Sequence, residues 1–132
     1  MARKFALLGT IFAAISIALG AFGAHALKSI LPLESLIIFE TGVRYQFMHS
    51  IALIILSLYV SKDSTPASFH KVGNLFWVGI VLFSGSLYGL AFQPLFQFSY
   101  KMILGPVTPL GGVCFILGWG YGGIKFIDQS SG

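Results

Sequence analysis

The chain has 132 residues, of which 56% are hydrophobic and 9% charged, with a formal charge of +4. A water-facing surface takes about 25–35% Lys, Arg, Glu and Asp, so eight basic and four acidic residues cannot cover this one. With a mean hydropathy of +0.88, that excludes an ordinary soluble enzyme and a disordered chain, and basic residues scattered singly between apolar blocks exclude a nucleic-acid footprint.

Four segments are apolar enough to cross about 30 Å of hydrocarbon, which takes roughly 20 residues at 1.5 Å each. The first covers about residues 5–24 and carries no charge. Arg3 and Lys4 precede it and Ala24-His25-Ala26 fits a small-x-small cleavage site. The apolar run nevertheless exceeds the roughly 7–15 residues of a signal segment, so retention as a span is expected. The second covers about 43–60, with an earlier, partly polar start near Leu33. Residues 61–66 read as a polar turn, and 68–71 as a short interfacial helix ahead of the third span at about 72–92. After Pro94, residues 95–104 are apolar but only about ten long, which suits an interfacial or re-entrant segment better than a crossing. Thr108 and Pro109 read as an N-cap and a proline at the first helical position, opening a glycine-rich fourth span at about 109–127. The expectation is therefore all-α: a single domain, residues 1–132, forming an up-and-down four-helix transmembrane bundle.

Orientation follows from basic residues, which favour the cytoplasmic side. With both termini inside, the inner face receives Arg3, Lys4, Lys62, Lys71 and Lys125, and the outer face Lys28, Lys101 and Arg44. Tyr59, Trp77, Trp119 and Tyr121 then form an inner aromatic belt, with Tyr88 and Tyr100 toward the outer one. The single cysteine, Cys114, lies in an apolar stretch with no zinc-like spacing around it and reads as a small buried hydrophobe.

The densest polar set lies on the second span. Glu40 and Arg44 are four residues apart on one helical face, the spacing of an ion pair at the membrane edge. Gln46, Ser50 and Ser57 form a separate stripe suited to hydrogen bonding with a neighbouring helix. His49 lies deeper, on the side of Tyr45, and reads as an interhelical hydrogen-bonding group, with a proton relay, a metal or haem ligand or a quinone contact as the alternatives. His25 ends the first span, where an up-and-down bundle brings it toward Glu40 and Arg44. The candidate polar cluster is thus His25, Glu40, Arg44, Tyr45, Gln46 and His49, with no metal or cofactor assigned. Small residues recur every four positions at Ser16, Gly20 and Ala24, at Thr10, Ala14 and Ala18, at Gly85 and Gly89, and at Gly118 and Gly122. Such faces let helix backbones approach closely. No nucleophile elbow, phosphate loop or zinc-protease motif occurs.

Several strings resemble one family together: Gly20-Ala21-Phe22-Gly23-Ala24-His25, Thr41-Gly42-Val43-Arg44-Tyr45-Gln46 with His49, Leu82-Phe83-Ser84-Gly85-Ser86-Leu87-Tyr88, and Thr108-Pro109-Leu110-Gly111-Gly112 with Gly118-Trp119. They are similar to the DUF423 family of small membrane proteins, also called UPF0382 and related to the transmembrane protein 256 group. The resemblance touches all four spans and implies a bacterial inner-membrane protein with four helices. It brings no activity, substrate or catalytic residue. The leading functional expectation is a binding or accessory component in contact with membrane lipid, with a second copy or another membrane protein as partner. Set against it are a membrane enzyme or redox subunit using His25 and His49 with a lipid-soluble substrate or haem, and an oligomeric conduit for ions or small solutes.

Overall fold

The computed structural model describes residues 1–60, 67–96 and 101–131. The expected polar turn at 61–66, with Lys62, and the middle of the expected interfacial segment at 97–100, with Tyr100, lie outside the described residues. The elements are α1 (Ala2–His25), a 3-10 turn (Leu27–Ser29), α2 (Leu33–Val60), α3 (Ser68–Gly79), a π turn (Ile80–Ser84), α4 (Gly85–Phe92), a second 3-10 turn (Gln93–Leu95) and α5 (Lys101–Ser130). From Ser68 to Leu95 the third group is one continuous rod, so four rods of 28 to 30 residues are long and apolar enough to cross a membrane. At 1.5 Å per residue each is about 42 Å long, which exceeds the hydrocarbon core by about two turns.

Three of the rods outrun the expected spans at both ends, while the second takes the earlier start expected near Leu33 and ends at Val60 as expected. The second span begins at Leu33, where the Leu36 amide bonds to the Pro32 carbonyl and Glu34 lies in the first turn beside the positive end of the helix dipole. The fourth does not begin at Thr108 and Pro109: α5 starts at Lys101 and passes through Pro106 and Pro109. Each proline removes one backbone donor, yet hydrocarbon penalises every unbonded group, so continuing the helix is the better solution. Gly105, directly before Pro106, lacks the Cβ that would crowd the proline ring. Residues 101–104 are therefore helical, and 68–71 open α3 itself instead of forming a separate interfacial helix.

Consecutive rods pack on one another in opposite directions. Gly9 of α1 lies against Ser50 and Ile54 of α2 while Gly23 lies against Phe39. Tyr59 of α2 packs on Phe69 of α3 at 4.9 Å between ring centroids, and Gly42 sits under Tyr88 of α4. On α5, Gly122 meets Val72, Gly118 meets Phe76, Gly111 meets Phe83, and Leu104 covers Gly89. The α1 seam departs from the four-residue ladders read from the sequence. Gly9, Ser16 and Gly23 are its buried residues along with Phe5, with Phe12 and Leu19 partly buried between them. This seven-residue spacing alternates small and large side chains along the seam, as in a coiled coil. Gly20 touches only Val43, whereas Thr10, Ala14, Ala18 and Ala24 are exposed.

The core has two parts. Phe5, Leu53, Phe69, Val72, Phe76, Ile80 and Phe115 fill the end near Met1, and Leu27, Leu31, Leu36, Phe39 and Ala91 fill the end near His25. The outer surface carries Leu7, Ile11, Ile17, Ile55, Leu58, Ile116 and Ile124, whereas Ser16, Gln46, His49, Ser50, Ser57, Ser84 and Ser86 are buried. That arrangement is inverted relative to a water-soluble domain and suits lipid as the outer solvent.

Candidate functional site

Most of the interior polarity lies on α2. The Gln46 side-chain amide donates to the Phe12 carbonyl of α1 at 2.9 Å, and the Tyr88 hydroxyl of α4 donates to Gln46 Oε1 at 2.9 Å. One buried amide thus joins three rods with both its ends engaged. Its receptor on α1 is a carbonyl that Ser16 also bonds, at 2.8 Å. The neighbouring pair Ser86 and Thr108 ties α4 to α5 at 2.7 Å.

His49 is 2% exposed and held from two sides. The Trp119 indole N–H of α5 donates to its Nε2 at 3.0 Å, and its Nδ1 lies 2.8 Å from the Tyr45 carbonyl one turn earlier. An indole nitrogen only donates and a carbonyl only accepts. Nε2 is therefore the acceptor, Nδ1 carries the hydrogen, and the ring is the neutral tautomer. Its face stacks on Phe115 at 3.5 Å and 11°, and its edge meets Phe76 at 5.4 Å. Tyr45 packs on Phe83 at 4.7 Å and lies 6.2 Å from both Phe115 and His49, between ring centroids.

The remaining cluster candidates lie elsewhere. His25, Glu40 and Arg44 are exposed, and no hydrogen bond or ion pair links them. The expected Glu40–Arg44 pair is absent; Lys125 and Asp128 on α5 form an ion pair, at 3.2 Å. His25 does not meet His49 either. Gly9 is level with Ser50, so about 16 residues of α1, roughly 24 Å, separate the two histidine levels. Among the described residues no three His, Cys, Asp or Glu side chains come together as a metal site would require. Of the small residues singled out, Gly118, Gly122 and Gly89 face neighbouring rods, while Gly85 has nothing within 4 Å of its Cβ position.

Below the His49–Trp119 pair, toward the Met1 end, a cleft of about 620 Å³ separates α2 from α5. Ala52, Leu56, Phe69, Val72, Phe76 and Gly118 form its buried floor, and Ile55, Trp119, Phe126 and Ile127 form an exposed rim. Gly122 and Gly123 line the α5 wall. At Gly123 nothing lies within 4 Å of the Cβ position, so the missing side chain is what leaves this wall open. The Tyr59 hydroxyl bonds to Gln129 at the far end. Neither the cleft nor the Trp119 bond was legible in the sequence, where Trp119 reads as part of an aromatic belt. The available signal was the Gly118, Gly122, Gly123 run set beside Trp119 and Phe126, which alternates absent and very large side chains on one helix.

The family model described as "Protein of unknown function (DUF423)" matches residues 19–112. The UPF0382 membrane protein YwdK of Bacillus subtilis is 44% identical over 117 residues, covering 89% of this chain and 90% of that protein. A UPF0382 membrane protein of Haemophilus influenzae is 36% identical over 129 residues, covering 95% and 97%. One of Staphylococcus saprophyticus is 39% identical over 117 residues, covering 89% and 91%. No solved structure matches the chain.

Proposed function

The chain belongs to the DUF423 family, and from that premise we propose that it is a non-catalytic binding component of the bacterial cytoplasmic membrane that receives an apolar chain in the cleft between α2 and α5. The rods cross up and down in this reading, with both termini in the cytoplasm. Arg3, Lys4, Lys71 and Lys125 share the Met1 end with Asp128, while Lys28, Arg44 and Lys101 share the other with Glu34 and Glu40. The basic surplus at the Met1 end supports that orientation.

The cleft carries the proposal. Its volume lies within the roughly 300–1,000 Å³ typical of ligand sites, and carbon lines it almost throughout. The Tyr59 hydroxyl in its lining is bonded to Gln129, and His49, behind Trp119, has both ring nitrogens in use. A ligand bond from Nε2, whether to a metal or to a haem iron, would first displace the Trp119 N–H. Such a site offers shape and hydrocarbon contact, not acid–base chemistry.

The test is photolabelling in reconstituted bilayers with a diazirine-bearing alkyl chain. Adducts concentrated on Ile55, Trp119, Phe126 and Ile127 support the reading. Adducts spread equally over Leu7, Ile17 and Ile116 on the outer faces refute it. Reporter fusions at each terminus test the orientation separately, and a periplasmic signal from either end overturns that part.

A further inference from the structure

Resting on the cleft reading, we infer that the occupant is one acyl chain of an anionic phospholipid from the leaflet at the Met1 end, with its headgroup at Lys71 and Lys125. The length of the cleft selects a lipid chain over a protein helix. Along α5 it runs from Gly118 to Ile127, about 13 Å at 1.5 Å per residue. That is close to half of a hydrocarbon core about 30 Å thick, the depth of one leaflet. A transmembrane helix from a partner would need a groove along the whole rod. Here the groove stops at Trp119 and Phe76, which His49 and Phe115 hold from behind.

The surroundings select the headgroup. The floor is buried inside the bundle while the rim faces lipid, so entry is sideways from the bilayer, and the medium beside the opening is hydrocarbon. At the shallow end lie Phe69 and Phe126. Lys71 is exposed between the lining positions Phe69 and Val72, and Lys125 lies between the lining positions Gly123 and Phe126. Asp128 is the acidic residue described at this end and is paired with Lys125. Arg3 and Lys4 add to the positive field, with Lys4 3.4 Å from Asn74 and 5.1 Å from the Trp77 ring centre. Basic side chains beside the shallow end of an apolar slot one leaflet deep complement an amphiphile with a negative head and a single long chain in the slot, since a lysine stem reaches from hydrocarbon to the headgroup layer. Each lysine near a phosphate surface contributes roughly five-fold in affinity.

Native mass spectrometry of the full chain in a mild neutral detergent tests this, with phosphatidylglycerol and phosphatidylcholine of identical chains supplied together. One lipid per chain is expected, with phosphatidylglycerol retained roughly five-fold or more over phosphatidylcholine. The Lys71→Gln, Lys125→Gln double variant should lose the preference and keep the lipid. Gly123→Leu should lose both lipids, since its side chain enters the slot without meeting any atom of the fold within 4 Å of its Cβ. Gly120→Leu, the same change at a glycine equally open but outside the lining, should behave as the parent chain. Equal retention of the two lipids by the parent overturns the headgroup assignment while leaving the cleft reading intact. No retained lipid, or Gly123→Leu binding as well as the parent, overturns both. A lipid-free dimer that Gly123→Leu dissociates does the same, by making the occupant a second copy.

Discussion

Gly111→Ala tests the packing of α5 most directly. A Cβ at this position would lie 2.3 Å from the Phe83 backbone nitrogen and 2.7 Å from its Cα and Cβ. Ordinary contact begins near 3.4 Å, so α5 and the π turn must part by about an ångström. Phe83 offers backbone here, and backbone does not swing aside as the tip of a side chain does. Overpacking of this kind costs about 1–3 kcal/mol. Against it stands the helix preference of alanine over glycine, about 0.5–1 kcal/mol. The net expectation is a loss of about 1–2 kcal/mol. Gly120→Ala isolates the opposing effect, because its Cβ meets nothing within 4 Å, and should gain about 0.5–1 kcal/mol. Unfolding in mixed micelles of neutral detergent and dodecyl sulfate, followed by the fluorescence of Trp77 and Trp119, measures both. The two substitutions should move the midpoint in opposite directions. Gly111→Ala matching or exceeding the parent chain would refute the close approach of α5 to Phe83.

In the same titration, Trp119→Phe removes the indole N–H and leaves His49 Nε2 without its donor, which should cost about 1–3 kcal/mol; a change under about half of that would mean the bond contributes little. A double-mutant cycle of Gln46→Leu and Tyr88→Phe should give a coupling of about 0.6 kcal/mol, the scale of interhelical hydrogen bonds in membranes, and zero coupling would place the Tyr88 hydroxyl elsewhere. Glu40→Gln and Arg44→Gln should each change stability by under about 0.5 kcal/mol with no coupling. A coupling near 1 kcal/mol would restore the ion pair that the structure lacks.

The spans were legible because lipid imposes a minimum length and a composition that few other environments require. Which side of each span turns inward was far less legible. On α1 every face is apolar, so hydrophobicity does not distinguish Ser16-Gly20-Ala24 from the seam actually used, Gly9-Ser16-Gly23. Close approach of Ser50, Ile54 and Phe39 makes that choice, and these lie on another helix. Thr108 and Pro109 signalled a helix start by rules drawn from water, where a broken helix finds solvent for its free carbonyls. In hydrocarbon there is no such refuge, and the helix runs through them. His49 and Gln46 were legible as polar groups on the inner side of α2. Their partners, Trp119 and Tyr88, lie on distant rods, and only tertiary structure joins them.

The cleft itself follows from how α5 is attached. Against α3 and the π turn, α5 presents Gly111, Gly118 and Gly122, so these backbones come close. Toward α2 it presents rings instead: Phe115 and Trp119 against His49, and Phe126 against Tyr59 at 5.4 Å. Rings act as struts, holding α5 away from α2 at the His49 level and again at the Tyr59 level. Between the struts Gly122 and Gly123 contribute no side chain, and Phe69, Val72 and Phe76 of the third rod complete the floor with Ala52 and Leu56 of α2. Helices in lipid gain no hydrophobic drive to close such a gap, because a lipid tail fills it as well as leucine would. A vacant slot would forfeit its dispersion contacts, so in a bilayer the stable state of this fold is the filled one. A side chain placed in the slot at Gly123 should therefore displace the lipid without disturbing the fold, since nothing of the fold lies within 4 Å of that Cβ.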